Sequence, residues 1–135
     1  MATNPPITIG PFANVPAPGS GVKSDWAQQI TNYVLRGAWT PVTVFTNGWS
    51  NFAGFQVARY RKEGDRVFVE GLVKGGTVNT VAFTLPAGFR PPAAVVAPSA
   101  AAGIFATITI DSLGAVTLSV PNNTNVTLLF TFSTT

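Results

Sequence analysis

The sequence predicts an all-β protein, an antiparallel β-sandwich of the jelly-roll type, and three observations carry that reading. Short runs of alternating apolar and polar residues recur from residue 39 to the end. Thirteen glycines and eleven prolines cut those runs to strand length. Only 10% of the 135 residues are charged while 46% are hydrophobic, too few charges to coat the outer faces of a helical bundle and too much apolar content for disorder. Three parts are expected: an extended arm over residues 1–22, a short helix over 23–37 and the sandwich over 38–135.

The arm, MATNPPITIGPFANVPAPGSGV, holds five of the eleven prolines and no charge. Proline fixes φ and removes ladder donors, so an extended chain is expected. Ile7, Ile9, Phe12 and Val15 make it too apolar for a free linker, so it is expected to lie on something and to serve as an anchor. The helix follows in SDWAQQITNYVLRG. Ser24 suits the N-cap, Asp25 and Arg36 suit the two ends of the dipole, and Gly37 suits the αL stop. Trp26, Ile30 and Tyr33 fall on one stripe, which packs either on the chain's own sandwich or on two further copies about a three-fold axis.

Eight strands are expected beyond Trp39. The first carries Val42 and Val44 and ends at Asn47-Gly48, a hairpin-turn signal. Residues 55–61 and 66–74 form the clearest hairpin, around Lys62-Glu63-Gly64-Asp65. Residues 80–85, 93–97, 103–110, 115–120 and 126–133 supply the rest. Between them, FTLPAGFRPP reads as a rigid corner: Pro86 ends hydrogen bonding, Gly88 permits a rare conformation, Pro91-Pro92 keep the exit extended, Phe89 caps the core and Arg90 is left at the surface or an interface. The uncharged run 93–110 is long enough to span a membrane, but Pro98, Ser99 and Gly103 and its alternating tail argue for strand, so no membrane insertion is expected.

The chemistry available is narrow. With no cysteine and no histidine there is neither a thiolate metal site nor the commonest general base, and no metal or cofactor is expected. Glu63, Asp65 and Glu70 are the only carboxylates close enough in sequence to suggest glycan hydrolysis, and the first two read more simply as turn formers. Gly75-Gly76-Thr77 lacks the lysine and the helix of a phosphate loop. The protein is therefore not expected to be an enzyme. Arg59, Arg61, Lys62 and Arg66 bracket one turn within a net charge of +3. They read as a solvated hairpin tip, with a basic patch for nucleic acid or an anionic glycan as the sharper alternative; with the hairpin tip preferred, no nucleic-acid partner is expected. The opening MATNPPITIG has neither the cationic start nor the apolar run of a secretory leader, so the glycosylation patterns at Asn122 and Asn125 are read as chance.

Several pieces in order, NGWSNF, ARYRKEGDRVFVEGLVKGGT and FTLPAGFRPP, resemble the C-terminal β-sandwich head of tail-fibre and minor tail proteins of double-stranded DNA bacteriophages. The matching positions are Gly48 and Trp49; Tyr60, Arg61, Lys62, Gly64 and Asp65; Gly71, Val73, Gly75, Gly76 and Thr77; and Leu85, Pro86, Gly88, Phe89, Arg90 and Pro91. VPAPGSGVKSDWAQQITNYV is similar to stretches that precede such heads, which extends the likeness over residues 15–133. The resemblance implies a virion structural protein on the particle surface, a homotrimer whose distal heads meet the host. Without a shaft, a collagen-like repeat or a long coiled coil, a short knob is expected.

On that resemblance Trp26, Ile30 and Tyr33 become the trimer interface, and the arm becomes the link to other proteins of tail or capsid. The resemblance fixes no binding site, and the partner expected outside the virion is a host cell-surface glycan. Trp49 and Phe52, with Phe55, form an aromatic cluster that either stacks on sugar rings or fills core. Asn122, Asn123 and Asn125 lie in a loop that either recognises the host or simply turns the chain. A capsid decoration protein, or head fibre, is the alternative function, and a free carbohydrate-binding module is a third.

Overall fold

The computed structural model describes residues 37–135. The arm residues Ile7, Ile9, Phe12 and Val15 and the helix residues Trp26, Ile30 and Tyr33 lie outside the described residues. Those described contain no helix. They form nine strands: β1 (Thr40–Pro41), β2 (Ser50–Asn51), β3 (Arg59–Glu63), β4 (Arg66–Lys74), β5 (Thr80–Thr84), β6 (Val95–Ala101), β7 (Ile104–Ile110), β8 (Ala115–Ser119) and β9 (Val126–Ser133). All are antiparallel and lie on one hydrogen-bonded path, β1-β3-β4-β9-β6-β7-β8-β5, with β2 set beside β4.

The path has one weak joint. β4 and β9 share eight residue pairs, whereas β9 and β6 meet only at Val126 and Ala101. The sheet bends there into two leaves, so in place of the separate sheets of a jelly roll there is one sheet curled into a half-barrel. The concave side is the core. Alternation sends Val67, Val69 and Val73 of β4, Ile108 and Ile110 of β7, Val116 and Leu118 of β8, and Leu128 and Phe130 of β9 inward, all nearly or fully buried. Each such side chain contributes roughly 1.5–3 kcal/mol, which is why one phase of every strand is fixed.

The segment expected as the first strand does something else. Val42 N–H donates to the Ala58 carbonyl (2.8 Å), while Thr46 N–H donates to the Ala82 carbonyl (2.8 Å) and Thr46 Oγ1 to the Val81 carbonyl (2.8 Å). Residues 42–46 thus cross from one edge of the curled sheet to the other as a strap. Val42 is buried, Val44 is exposed, and Phe45 turns its edge to Phe83 at 6.0 Å. The strap docks where the β5–β8 register slips between Val81 and Phe83, which turns Ala82 and Phe83 inward together.

Turn chemistry sets the hairpins. Asn47 and Gly48 both take positive φ (56° and 82°), as a two-residue turn requires. The β3–β4 turn is tighter than the sequence suggests: Glu63 pairs with Arg66, leaving only Gly64-Asp65 between. β6 extends to Ala101 and turns through Ala102-Gly103, so the expected strand 93–97 is too short. Pro98 is tolerated inside β6 because its N–H side faces the gap between the leaves. Much of the uncharged run 93–110 is β6 and β7, and no helix among the described residues is long and apolar enough to cross a membrane.

The corner closes on itself. Phe89 N–H donates to the Pro86 carbonyl (3.1 Å) with Gly88 at φ +93°, and Phe89 packs edge-on against Tyr60 at 5.0 Å. Arg90 is committed here, for its Nε donates to the carbonyl of fully buried Leu85 (2.8 Å), whose own N–H donates to Gly114 (2.8 Å). Lys62 Nζ donates to the Gly88 carbonyl (2.8 Å), tying the corner to β3.

Candidate functional site

Because Val67, Val69 and Val73 face the core, the intervening residues Phe68, Glu70 and Leu72 face out. Opposite them on β9 stand Thr131, Leu129 and Thr127, and from β3 Arg61 lies opposite Phe68 and Arg59 opposite Glu70. Charge and aromatic surface are thereby interleaved on one sheet face. Arg59 Nε donates to Glu70 Oε2 (2.7 Å), its Nη2 reaches the same oxygen, and Arg61 Nη1 donates to Glu63 Oε2 (2.8 Å). The Arg61 guanidinium also lies 5.1 Å from the Trp39 ring centre and 4.9 Å from that of Phe68, and Arg59 lies 4.3 Å from Trp39. Such contacts are worth about 0.5–1 kcal/mol each at a partly exposed site and chiefly fix side-chain orientation. Arg61 Nε is enclosed and has no hydrogen-bond partner among the described residues.

Loop 52–56 raises one wall of this face. Phe52 N–H donates to the Leu72 carbonyl (2.9 Å), Leu72 N–H donates to Gln56 (3.1 Å), and Asn51 Oδ1 accepts from Ala58 N–H (2.8 Å). Phe52 and Phe55 meet edge to face at 5.3 Å, with Lys74 Nζ 5.1 Å from the Phe52 ring centre. Two hollows result. One, of about 320 Å³, has Trp39, Arg61 and Phe68 in its lining. The other, of about 430 Å³, includes Phe55, Gln56 and Leu72. Glu70 and Leu129 belong to both, so the hollows adjoin along one strip. Leu129 and Phe55 are 72% and 61% exposed, which leaves large apolar groups open to a ligand.

The arrangement is suited to binding. Among the described residues, no three His, Cys, Asp or Glu are grouped to hold a metal ion. Glu63 and Glu70 are each occupied by an arginine. Asp65 lies at the hairpin turn, its carbonyl accepting from Thr134 N–H (2.8 Å) and its Oδ2 from Thr135 Oγ1 (3.0 Å).

The residues singled out in the sequence separate. Trp49 is a core residue: it is 3% exposed, its indole N–H donates to Thr80 Oγ1 (3.2 Å), and a Cβ on Gly76 would stand within 2.3 Å of its ring. So enclosed a ring offers no face to a sugar. Phe52 lies on the outer strip with Phe55. Asn122, Asn123 and Asn125 hold loops together. Asn122 Nδ2 donates to the Ala101 carbonyl (3.2 Å), Asn123 Nδ2 to that of Gly76 (2.8 Å), and the Asn125 carbonyl accepts from Ala102 N–H (3.0 Å). Trp39, Phe68 and Leu129 were not singled out in the sequence, although the strand phase carries a signal for Phe68 and Leu129: large apolar residues on the outward phase are surplus to the core.

No known family profile matches this chain, and no curated protein does. Among solved structures, the receptor binding protein (gp15) of Listeria phage PSA is similar at 24% identity, over 84% of this chain and 76% of that one, with a TM-score of 0.56. The likeness is one of fold. It places the curled antiparallel sheet beside that of a phage protein.

Proposed function

We propose that this chain is a phage virion protein, the receptor-binding head of a short tail fibre, and that it meets the host through the outer strip of β3, β4 and β9. The observation that carries the reading is the strip itself: Phe55, Leu129, Phe68 and Trp39 lie around paired guanidinium and carboxylate groups on a fold like that of a phage receptor binding protein. Aromatic and aliphatic groups suit the apolar faces of sugar rings, while Arg59, Arg61 and Glu70 suit hydroxyls, so the ligand class is a host surface glycan. Catalysis has no part in this reading.

The head works as a homotrimer joined through the stripe Trp26, Ile30 and Tyr33, with the arm residues Ile7, Ile9, Phe12 and Val15 attaching it to the particle. Three weak contacts on one body raise avidity by orders of magnitude. Immunogold electron microscopy with antibody against residues 39–135 tests the reading. Label at the tail tip or baseplate is expected; label spread over the capsid means a decoration protein or head fibre instead.

A further inference from the structure

The geometry points to a neutral glycan as the ligand of the outer strip, held as two consecutive pyranoses along β4 and β9 with Glu70 between them. This rests on the strip being the host contact and adds which class of glycan it takes. Charge sets the class. Of the Arg59–Glu70 pair only the carboxylate faces the hollows, since Glu70 lines both and Arg59 neither. In the hollow beside Phe55, Glu70 is the one charged group in the lining among the described residues. In the hollow beside Trp39 the other charge is Arg61, whose Nη1 already donates to Glu63 Oε2 (2.8 Å). Lys74 lies over the Phe52 ring and lines neither. Among the described residues, then, neither lining holds a cation without a carboxylate partner. A ligand carboxylate or phosphate would meet partly buried Glu70 at close range, where like charges repel strongly. A cationic sugar gains little, because Arg59 Nε (2.7 Å) and Nη2 already donate to Glu70 Oε2. Glu70 Oε1 accepts from no donor among the described residues, and a sugar hydroxyl suits it without bringing in a second charge.

Register sets the length. The outward rows run Phe68–Thr131, Glu70–Leu129 and Leu72–Thr127. Each hollow lies to one side of the middle row, so each takes one apolar side chain from β4, one threonine from β9 and a share of Glu70 and Leu129. An aromatic wall completes each, Trp39 for one and Phe55 for the other. The two hollows are thus alike, as two neighbouring sugars require. Same-face positions two residues apart set their centres about 7 Å from each other, close to the length of one pyranose with its linking oxygen. Rings laid along the strip place apolar faces against the walls and turn hydroxyls to Glu70 and the threonines.

The test measures binding of the labelled full chain to host cells. The competitors are fragments of those cells' surface glycan, partially hydrolysed and sorted by ion exchange and then by size. The uncharged fragments are expected to compete, disaccharides at least about ten-fold better than monosaccharides. Raising salt from about 0.05 M to about 0.5 M should change binding by less than about two-fold, since the ligand carries no charge to screen. Glu70→Gln should admit acidic fragments, which then compete at least about ten-fold better than against wild type. The inference is overturned, with the strip still the host contact, if no uncharged fragment competes or monosaccharides match disaccharides. Binding that collapses in high salt, or a Glu70→Gln chain that ranks the fragments as wild type does, would overturn it too. A wild type that does not bind cells, or a Phe55→Ser/Leu129→Glu chain that binds them equally well, would instead overturn the host-contact reading and this inference with it.

Discussion

Gly71→Ala probes how the wall of the outer strip is held. Gly71 lies within β4 at φ +147°, a conformation almost confined to glycine. A Cβ there would stand 2.5 Å from Ala58 Cα and 2.8 Å from Ala58 N, and Ala58 is fully buried. Backbone so enclosed cannot swing aside as the end of a side chain does. Strain at this φ costs about 1–3 kcal/mol and the steric clash about 1–3 kcal/mol, while alanine's restriction of the unfolded chain offsets at most about 1 kcal/mol. The net destabilisation is about 1–6 kcal/mol, and at roughly 4–8 °C per kcal/mol for a domain of this size the melting temperature falls by about 4–48 °C. Differential scanning calorimetry measures it. Gly54→Ala gives the comparison, because Gly54 has φ +90° but nothing within 4 Å of a Cβ, so only strain applies and its fall should be the smaller. Equal falls, or a Gly71→Ala protein melting within about 2 °C of wild type, would refute the argument from backbone clash.

Other perturbations read other parts of the fold. Gly76→Ala places a methyl where the Trp49 indole lies, so it should cost about 1–3 kcal/mol in urea unfolding and shift tryptophan emission to the red as the ring is displaced. Arg90→Met strands the carbonyl of buried Leu85, and a loss of about 1–3 kcal/mol is expected in the same assay. Asn123→Ala removes the donor to the Gly76 carbonyl, lowering stability by about 1 kcal/mol and leaving adsorption of the phage unchanged, as a loop-holding residue should.

Much of the strand layout was legible because period-two alternation records which phase is buried. From β7 through β9 the expected strands match those observed to within a residue or so, for Ile108, Val116, Leu118 and Leu128 leave no other face free for the core. The misreadings have physical causes. Val42 to Phe45 alternate like a strand, yet Val42 N–H reaches Ala58 just before β3 while Thr46 donates to Val81 and Ala82 of β5, a long-range choice no local pattern records. Pro98-Ser99-Ala100 reads as a break, but β6 has a free side there, so a missing N–H costs nothing in the ladder.

The site was less legible than the fold. Trp49, Phe52 and Phe55 are close in sequence but part at the sheet surface: Trp49 goes inward to Gly76 and Thr80, while the two phenylalanines stay outside. The strip instead gathers Trp39, Phe68, Phe55 and Leu129 from distant segments, and only strand pairing brings them together. Asn122, Asn123 and Asn125 read in the sequence as a polar turn or a recognition loop, because amide side chains serve both uses. In the structure their hydrogen bonds hold loops together.

The most direct test of the central claim is the adsorption rate of phage particles carrying Phe55→Ser/Leu129→Glu in this chain. Both side chains are largely exposed, so folding and assembly should be unaffected. With copy number per particle confirmed by gel, the proposed function predicts that adsorption to the host falls by at least about ten-fold, one hot-spot loss in each head of the proposed trimer being multiplied by valency. Particles that adsorb at the wild-type rate would contradict the assignment of host contact to this strip.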